Sequence, residues 1–390
     1  MNMPIYLDYQ ATTPTDPRVL EVMLPYFGEL FANPHSAEHA AGRAVEARVE
    51  EARGEIAALI GAEAREVVFT SGATEANNMA ILGAGRFRAT APKPRTHVIT
   101  LASEHKCVLE SMRQLEREGL RLDILPVQAD GLADLSLLER TISDDTALVS
   151  VMAANNEIGV LQPIAEIGAL CRAKGAWFHS DAAQAFGKVT LDVAAQNIDL
   201  LSISGHKIYG PKGIGALYVR RRPRIRLQPL FFGGGQERGL RSGTLPSPLC
   251  IGLGEAARVA ALDMIADAER LAGLRDRLWQ RLRAGFPQIQ VNGSMQHRLP
   301  HNLNLTFPGI DAQALLAAVP DLSLSTGSAC SSAAIDPSYV LAALGLSDAD
   351  ARSSIRLAVG RPTSVEEVDR AADRLVSAAQ SLAAARPAAE

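Results

Sequence analysis

Cysteine is scarce in this 390-residue chain: Cys107, Cys171, Cys250 and Cys330 are the only four, and they are widely scattered. No CxxC pair or zinc-ligand spacing occurs, which excludes a disulfide scaffold and a zinc module. The thiols are read as reduced, as in a cytoplasmic protein, and any cysteine of interest must be of interest singly. No run of 18 apolar residues exists, so no transmembrane helix is expected. The first residues, Met1-Asn-Met-Pro-Ile-Tyr-Leu-Asp8, lack the basic and apolar regions of a secretory signal. A basic excess is missing too: 39 Lys and Arg against 43 Asp and Glu leave a formal charge of -4, which argues against nucleic-acid binding. The one basic run, Arg220 to Arg226, reads as a solvated face. No internal repeat is visible.

What is present is a globular composition, 47% hydrophobic and 21% charged, long enough for two domains or one large domain with an appendage. Apolar runs alternate with helical patterns. Strands are expected at Glu66–Thr70, His97–Thr100, Leu122–Val127, Ala147–Met152, Ala176–Asp181, Ile198–Leu201 and Gly215–Val219. The runs lack strict alternation, as in parallel strands buried on both faces. Polar residues gather at their C-terminal ends: Thr70, His105, Asn156, Asp181 and Ser204. Ligands of open α/β sheets bind at that edge. Later, Asn302–Phe307 alternates, which predicts an antiparallel strand with one exposed face.

Four stretches carry chemistry. Ser202 to Lys212 is a glycine- and proline-broken turn after a buried strand. Desolvation there would make Lys207 an amine nucleophile, and Ser204 and His206 can both donate to a phosphate. A surface turn with Lys207 and Lys212 as solvated charges is the alternative. The strand–turn–helix at Thr70-Ser-Gly-Ala-Thr-Glu75 suits phosphate binding through free amides, or plain helix capping by Ser71 or Thr74. Asp181 ends an apolar strand, and a buried carboxylate needs a partner, either a salt bridge or a protonated pyridine nitrogen. Cys330 sits in a run of small residues, Leu322 to Ala334, with nothing bulky to bury, which reads as a mobile loop presenting one thiol; a buried inert cysteine is the alternative. Arg356 lies on a strand and suits carboxylate recognition.

Taken together, Tyr6-Leu-Asp-Tyr9, Ala11-Thr-Thr-Pro14, Thr70-Ser-Gly-Ala-Thr-Glu75, Glu104-His-Lys106, Asn155-Asn-Glu-Ile-Gly159, Ser204 to Gly213, Arg241-Ser-Gly-Thr244 and Gly327-Ser-Ala-Cys330 stand in one order. The chain resembles the cysteine desulfurases of the NifS/IscS type, pyridoxal-phosphate enzymes of the class V aminotransferase group, over nearly its whole length. The resemblance implies an α/β fold of the fold type I class, with a mainly parallel seven-stranded sheet in a large domain (18–258). A smaller α/β domain (1–17 and 259–390) would carry the mobile cysteine loop (about 323–336).

The resemblance also implies roles. Lys207 would hold pyridoxal 5'-phosphate in a Schiff base, Asp181 would pair with its pyridine nitrogen and Gln184 with its ring oxygen. His105 would stack on the ring and act as the base for the Cys330 thiol. Ala73 and Thr74 with their turn, Ser204 and His206 would hold the phosphate, joined by Thr244 from a second subunit of a homodimer. Asn156, beside the cofactor, and Arg356 would bind the substrate carboxylate. L-Cysteine would become alanine, its sulfur passing to Cys330 as a persulfide and then to an acceptor such as an iron-sulfur scaffold. No resident metal is implied; Cys330 would ligate a cluster only transiently. Selenocysteine lyase, another pyridoxal-phosphate aminotransferase or lyase, and a sulfur-delivery scaffold acting by binding are the competing readings.

Overall fold

The computed structural model describes residues 4–326 and 337–385; Cys330 with residues 327–336, and the alanine-rich end 386–390, lie outside the described residues. The strands are β1 (Ile5–Tyr6), β2 (Val67–Thr70), β3 (His97–Leu101), β4 (Arg121–Leu125), β5 (Thr146–Ser150), β6 (Trp177–Asp181), β7 (Leu200–Ser204), β8 (Gly215–Val219), β9 (Gln290–Val291), β10 (Asn302–Thr306), β11 (Leu322–Ser323) and β12 (Ser354–Ala358). Seven form one sheet in the order β2-β8-β7-β6-β5-β3-β4. β8 is antiparallel to both β2 and β7, so β2 points the same way as β7 and the parallel set β6, β5, β3 and β4. The sheet is α/β and mainly parallel, as the sequence predicts.

Unbroken apolar runs make this sheet because successive residues face two different cores. Ile99 and Val149 enter one core with Phe69 and Leu201, while their neighbours Val98 and Leu148 enter another with Val68 and Leu200. Helices cover both faces, which leaves no wet side that would impose alternation. A third core joins β10 and β12 to the helices Ala312–Ala318 and Val365–Ala384. One helix, Ser247–Gly285, serves two cores: Cys250, Leu253 and Ala257 pack under the large sheet, and Leu271, Leu274 and Leu278 pack in the third core. At about 1.5 Å per residue its 39 residues are long enough to do so.

Three expectations need correction. β10 is antiparallel, to β9 and β12, but all five of its residues are buried, so no face is exposed. The alternating polar residues pair inside: Asn292 Nδ2 donates to Asn304 Oδ1 at 2.8 Å and to Thr306 Oγ1 at 3.0 Å. Arg220 is not solvated like Arg221, Arg222 and Arg224; it is buried and paired with Asp199 at 3.2 Å. The helix after β2 starts at Ala73, with Gly72 as N-cap and no capping side chain. Neither Ser71 nor Thr74 closes that N-terminus. Among the described residues, no helix is long and apolar enough to cross a membrane.

Candidate active site

The C-terminal edge of the large sheet opens into a cleft of ≈ 580 Å³. Because β2, β5, β6 and β7 point the same way, the residues that follow them meet there. Ala73, Thr74, His105, Asn156, Asp181, Gln184, Ser204, His206, Lys207 and Arg356 all line this one space. Thr244 does not; it is exposed on a loop whose Arg241 pairs with Glu75 at 2.8 Å. Cys330 lies outside the described residues.

The anion end is built from backbone. Residues at a helix start have no carbonyl behind them to bond, and here the amide of Ala76 reaches back to Gly72 at 3.1 Å. The preceding amides of Ala73 and Thr74 border the cleft with the positive end of the helix dipole. Two glycines shape this cradle. Gly72 sits at φ 151°, which side chains disfavour, and a Cβ there would meet nothing within 4 Å. A Cβ on Gly215 would come 2.7 Å from Gly72 Cα, so β8 passes tightly beneath.

The amine end is pinned. The turn Gly205–Lys207 follows β7. Lys207 Nζ donates to the carbonyls of Gln10 at 2.8 Å and Ala11 at 2.7 Å. The next residue but one, Tyr209, has φ 64° and is held by its amide donating to Thr13 Oγ1 at 2.8 Å. Thus the N-terminal arm forms one wall of the site. His206 shares a 3.0 Å contact with Thr12 Oγ1. Burial, then the charges of Lys207, Lys212 and Lys188, push its imidazole down to about 4, so it is neutral near pH 7.

Between these ends lies Asp181, buried, with both oxygens engaged: Oδ1 accepts the Ala183 amide at 2.9 Å and Oδ2 accepts Asn77 Nδ2 at 2.7 Å. Gln184 donates to the Gln10 carbonyl at 2.9 Å and accepts from Lys188 Nζ at 3.2 Å. Burial, then Lys207 and Arg356, lower the Lys188 ammonium to about 7. Beside His105, burial raises the Glu104 carboxyl and favours its neutral form. At the far wall, Arg356 donates to Asp8 at 2.7 Å and to the Asn156 carbonyl at 2.8 Å. Arg356 Nε and Asn156 Oδ1 are buried there without a partner among the described residues.

The lining fits a phosphorylated pyridine aldehyde: an open amide cradle, a fixed carboxylate, a primary amine, and a buried guanidinium N–H, Arg356 Nε, left to donate to a substrate carboxylate. Gln10 and Cys107 in the lining, and Asn77 and Lys188 behind it on Asp181 and Gln184, were not expected. Asn77 had a signal, a polar residue on the apolar stripe of Ala76, Met79 and Ala80. Lys188 is one turn beyond Gln184, which alone points nowhere. Of the other thiols, Cys171 and Cys250 are buried and pushed well above the ordinary thiol range by desolvation, which makes them poor nucleophiles.

A family model described as aminotransferase class-V matches residues 5–371. A cysteine desulfurase IscS of Rickettsia bellii (strain OSU 85-389) is 54% identical over 375 residues, 96% of this chain and 91% of that protein. A cysteine desulfurase IscS of Rickettsia rickettsii (strain Iowa) is 52% identical over 387 residues, 99% of this chain and 94% of that one. Among solved structures, a NifS-like protein aligns with a TM-score of 0.89 at 33% identity, covering 97% of this chain and 100% of that one. A structure described as SspA in complex with cysteine aligns with a TM-score of 0.81 at 39% identity, over 91% and 98% of the two chains.

Proposed function

The chain belongs to the class V aminotransferase family, and on that premise we propose that it is a pyridoxal-phosphate-dependent cysteine desulfurase converting L-cysteine to L-alanine. The observation that carries this is the meeting of the Lys207 amine, the Asp181 carboxylate and the open amides of Ala73 and Thr74 in one cleft. Pyridoxal phosphate, when bound, supplies an aldehyde that condenses with an amine and a ring that accepts the electron pair released at Cα.

The protein's own residues do the rest. Lys207, poised by the Gln10 and Ala11 carbonyls, is the amine that holds the cofactor and, once replaced by the substrate amine, the base that takes the Cα proton. Asp181 favours positive charge on the group facing it. Gln184, in the same lining, would donate its remaining N–H to the ring oxygen. The Ala73 and Thr74 amides, with Ser204 and neutral His206, bind phosphate. Arg356 and Asn156 receive the substrate carboxylate, which fixes Cα over Lys207. The Cys330 thiolate attacks the substrate sulfur; the Cβ–S bond breaks, an S–S bond forms, and Cβ keeps the electron pair and takes a proton. Cysteine and one thiol become alanine and one persulfide.

Two copies complete the site in this reading, with Thr244 of each reaching the phosphate of the other. Supporting it, Thr244 is exposed in the single chain, on the loop whose Arg241 pairs in a β-bridge with Phe231, and the rings of Phe231 and Phe232 are exposed too. The persulfide then passes to a sulfur-acceptor protein, such as a scaffold for iron-sulfur clusters, in the cytoplasm. The test is the visible absorption of the pure protein, followed with alanine release on adding L-cysteine. Lys207→Ala should lose the band of the bound aldehyde or stall. Cys330→Ala should keep the band yet release almost no alanine. Consumption of a 2-oxo acid without alanine release from cysteine would replace this reading by transamination.

A further inference from the structure

Behind the cleft wall, two side chains join His105 to Asp181. Asn77, on the inner face of the helix Ala73–Ala89, is fully buried. Its Nδ2 donates to Asp181 Oδ2 at 2.7 Å and to Cys107 Sγ at 3.1 Å. That sulfur lies 3.0 Å from His105 Nδ1. The Cys107 main-chain amide also donates to Nδ1, at 3.2 Å, which makes His105 the N-cap of the helix Lys106–Arg117.

Donor and acceptor roles follow by elimination. A main-chain amide can only donate, so Nδ1 accepts and carries no proton in the neutral ring; the ring proton is then on Nε2. Asn77 Nδ2 can also only donate, so the sulfur accepts from it and its own S–H is left to point at Nδ1. The hydrogen bonds of the strip therefore run outward from Asn77 in two directions, through the thiol to the imidazole and directly to the Asp181 carboxylate. The same amide nitrogen holds Asp181, so one buried residue orients both groups.

We propose that Asn77 and Cys107 are positioning residues that hold His105 as its Nε2–H tautomer and tie its ring to Asp181. The consequence rests on the desulfurase reading: His105 starts each turnover as a hydrogen-bond donor toward the cleft, not as the base that the resemblance implies for Cys330.

The test is nitrogen NMR of the cofactor-loaded protein and its cofactor-free form, both labelled with 15N-histidine, with His105→Gln assigning the signal. The wild type should show an unprotonated Nδ1 and a protonated Nε2. Asn77→Ala and Cys107→Ala should each shift the Nδ1 signal toward that of a less hydrogen-bonded ring nitrogen, and Cys107→Ser should restore it, because a hydroxyl can accept and donate in the same places. In turnover, Asn77→Ala should lower kcat about fivefold, one hydrogen bond's worth, with KM little changed. A protonated Nδ1 in the wild type, or a His105 signal unmoved in both alanine variants, overturns the proposal even if cysteine is turned over normally. Failure of the wild type to release alanine would instead remove the desulfurase reading and leave the tautomer result standing. If Asn77→Ala does not fold, Cys107→Ala and its serine counterpart decide alone.

Discussion

Substituting Gly72 by alanine isolates what the phosphate cradle costs the fold. Gly72 has φ 151° and ψ −179°, a region populated almost only by glycine. A Cβ there would touch nothing within 4 Å, so no packing gain or clash offsets the backbone strain. The strain is about 1–3 kcal/mol. It has two outlets. If the backbone stays, the apo protein loses that stability. If the backbone rotates, the Ala73 and Thr74 amides turn away, and affinity for pyridoxal phosphate falls by roughly 10- to 100-fold, at about 1.4 kcal/mol per tenfold. Titrating apo protein with the cofactor by absorbance, beside urea unfolding of the same sample, reads both outlets. Gly28→Ala is the control: its Cβ also meets nothing within 4 Å, and it sits in a helix, so neither quantity should fall. Gly72→Ala with wild-type affinity and a wild-type urea midpoint would refute the reasoning.

Gly215→Ala should be worse for folding, because the new Cβ would lie 2.7 Å from Gly72 Cα and closer still to the Ile203 carbonyl, both backbone; a loss of about 2–3 kcal/mol in urea unfolding is expected. Arg356→Lys should raise KM for L-cysteine by roughly tenfold or more with a smaller change in kcat, because an ammonium cannot hold Asp8, the Asn156 carbonyl and a carboxylate in one fork; an unchanged KM removes Arg356 from substrate binding. Lys188 has a folded pKa of about 7 against an ordinary 10.5. The unfolded chain therefore binds more protons across that window, and stability should climb as pH rises through it. Urea unfolding of apo Lys188→Met from pH 7 to 10 should show a smaller climb than wild type; equal slopes would show that Lys188 is not desolvated.

The sheet was legible in the chain because its signals are local. Val67–Thr70 is apolar without a polar beat and ends in a hydroxyl residue, so strand type and ligand edge could both be read. The turn at Lys207 was legible because glycine and proline punctuate it. β10 was misread because alternation normally means a wet face, whereas its polar residues bond to Asn292 from β9's edge and stay buried. The missing helix cap was misread because a Ser or Thr near a helix start usually caps it, and here Gly72 leaves that end open.

By itself, the sequence determined which segments are strands, where the backbone must break, and which few residue types could bear amine, thiol and carboxylate chemistry. Only the tertiary structure decided how those groups are tuned. Lys207 is poised by the Gln10 carbonyl, 197 residues away, and Asp181 is held by Asn77, 104 residues away. The low pKa of Lys188 and the neutrality of His206 are sums over burial and neighbouring charges that no window of sequence contains. Desolvation and Coulomb energy depend on distance in space, and distance in space is set when parallel strands bring their ends to one edge.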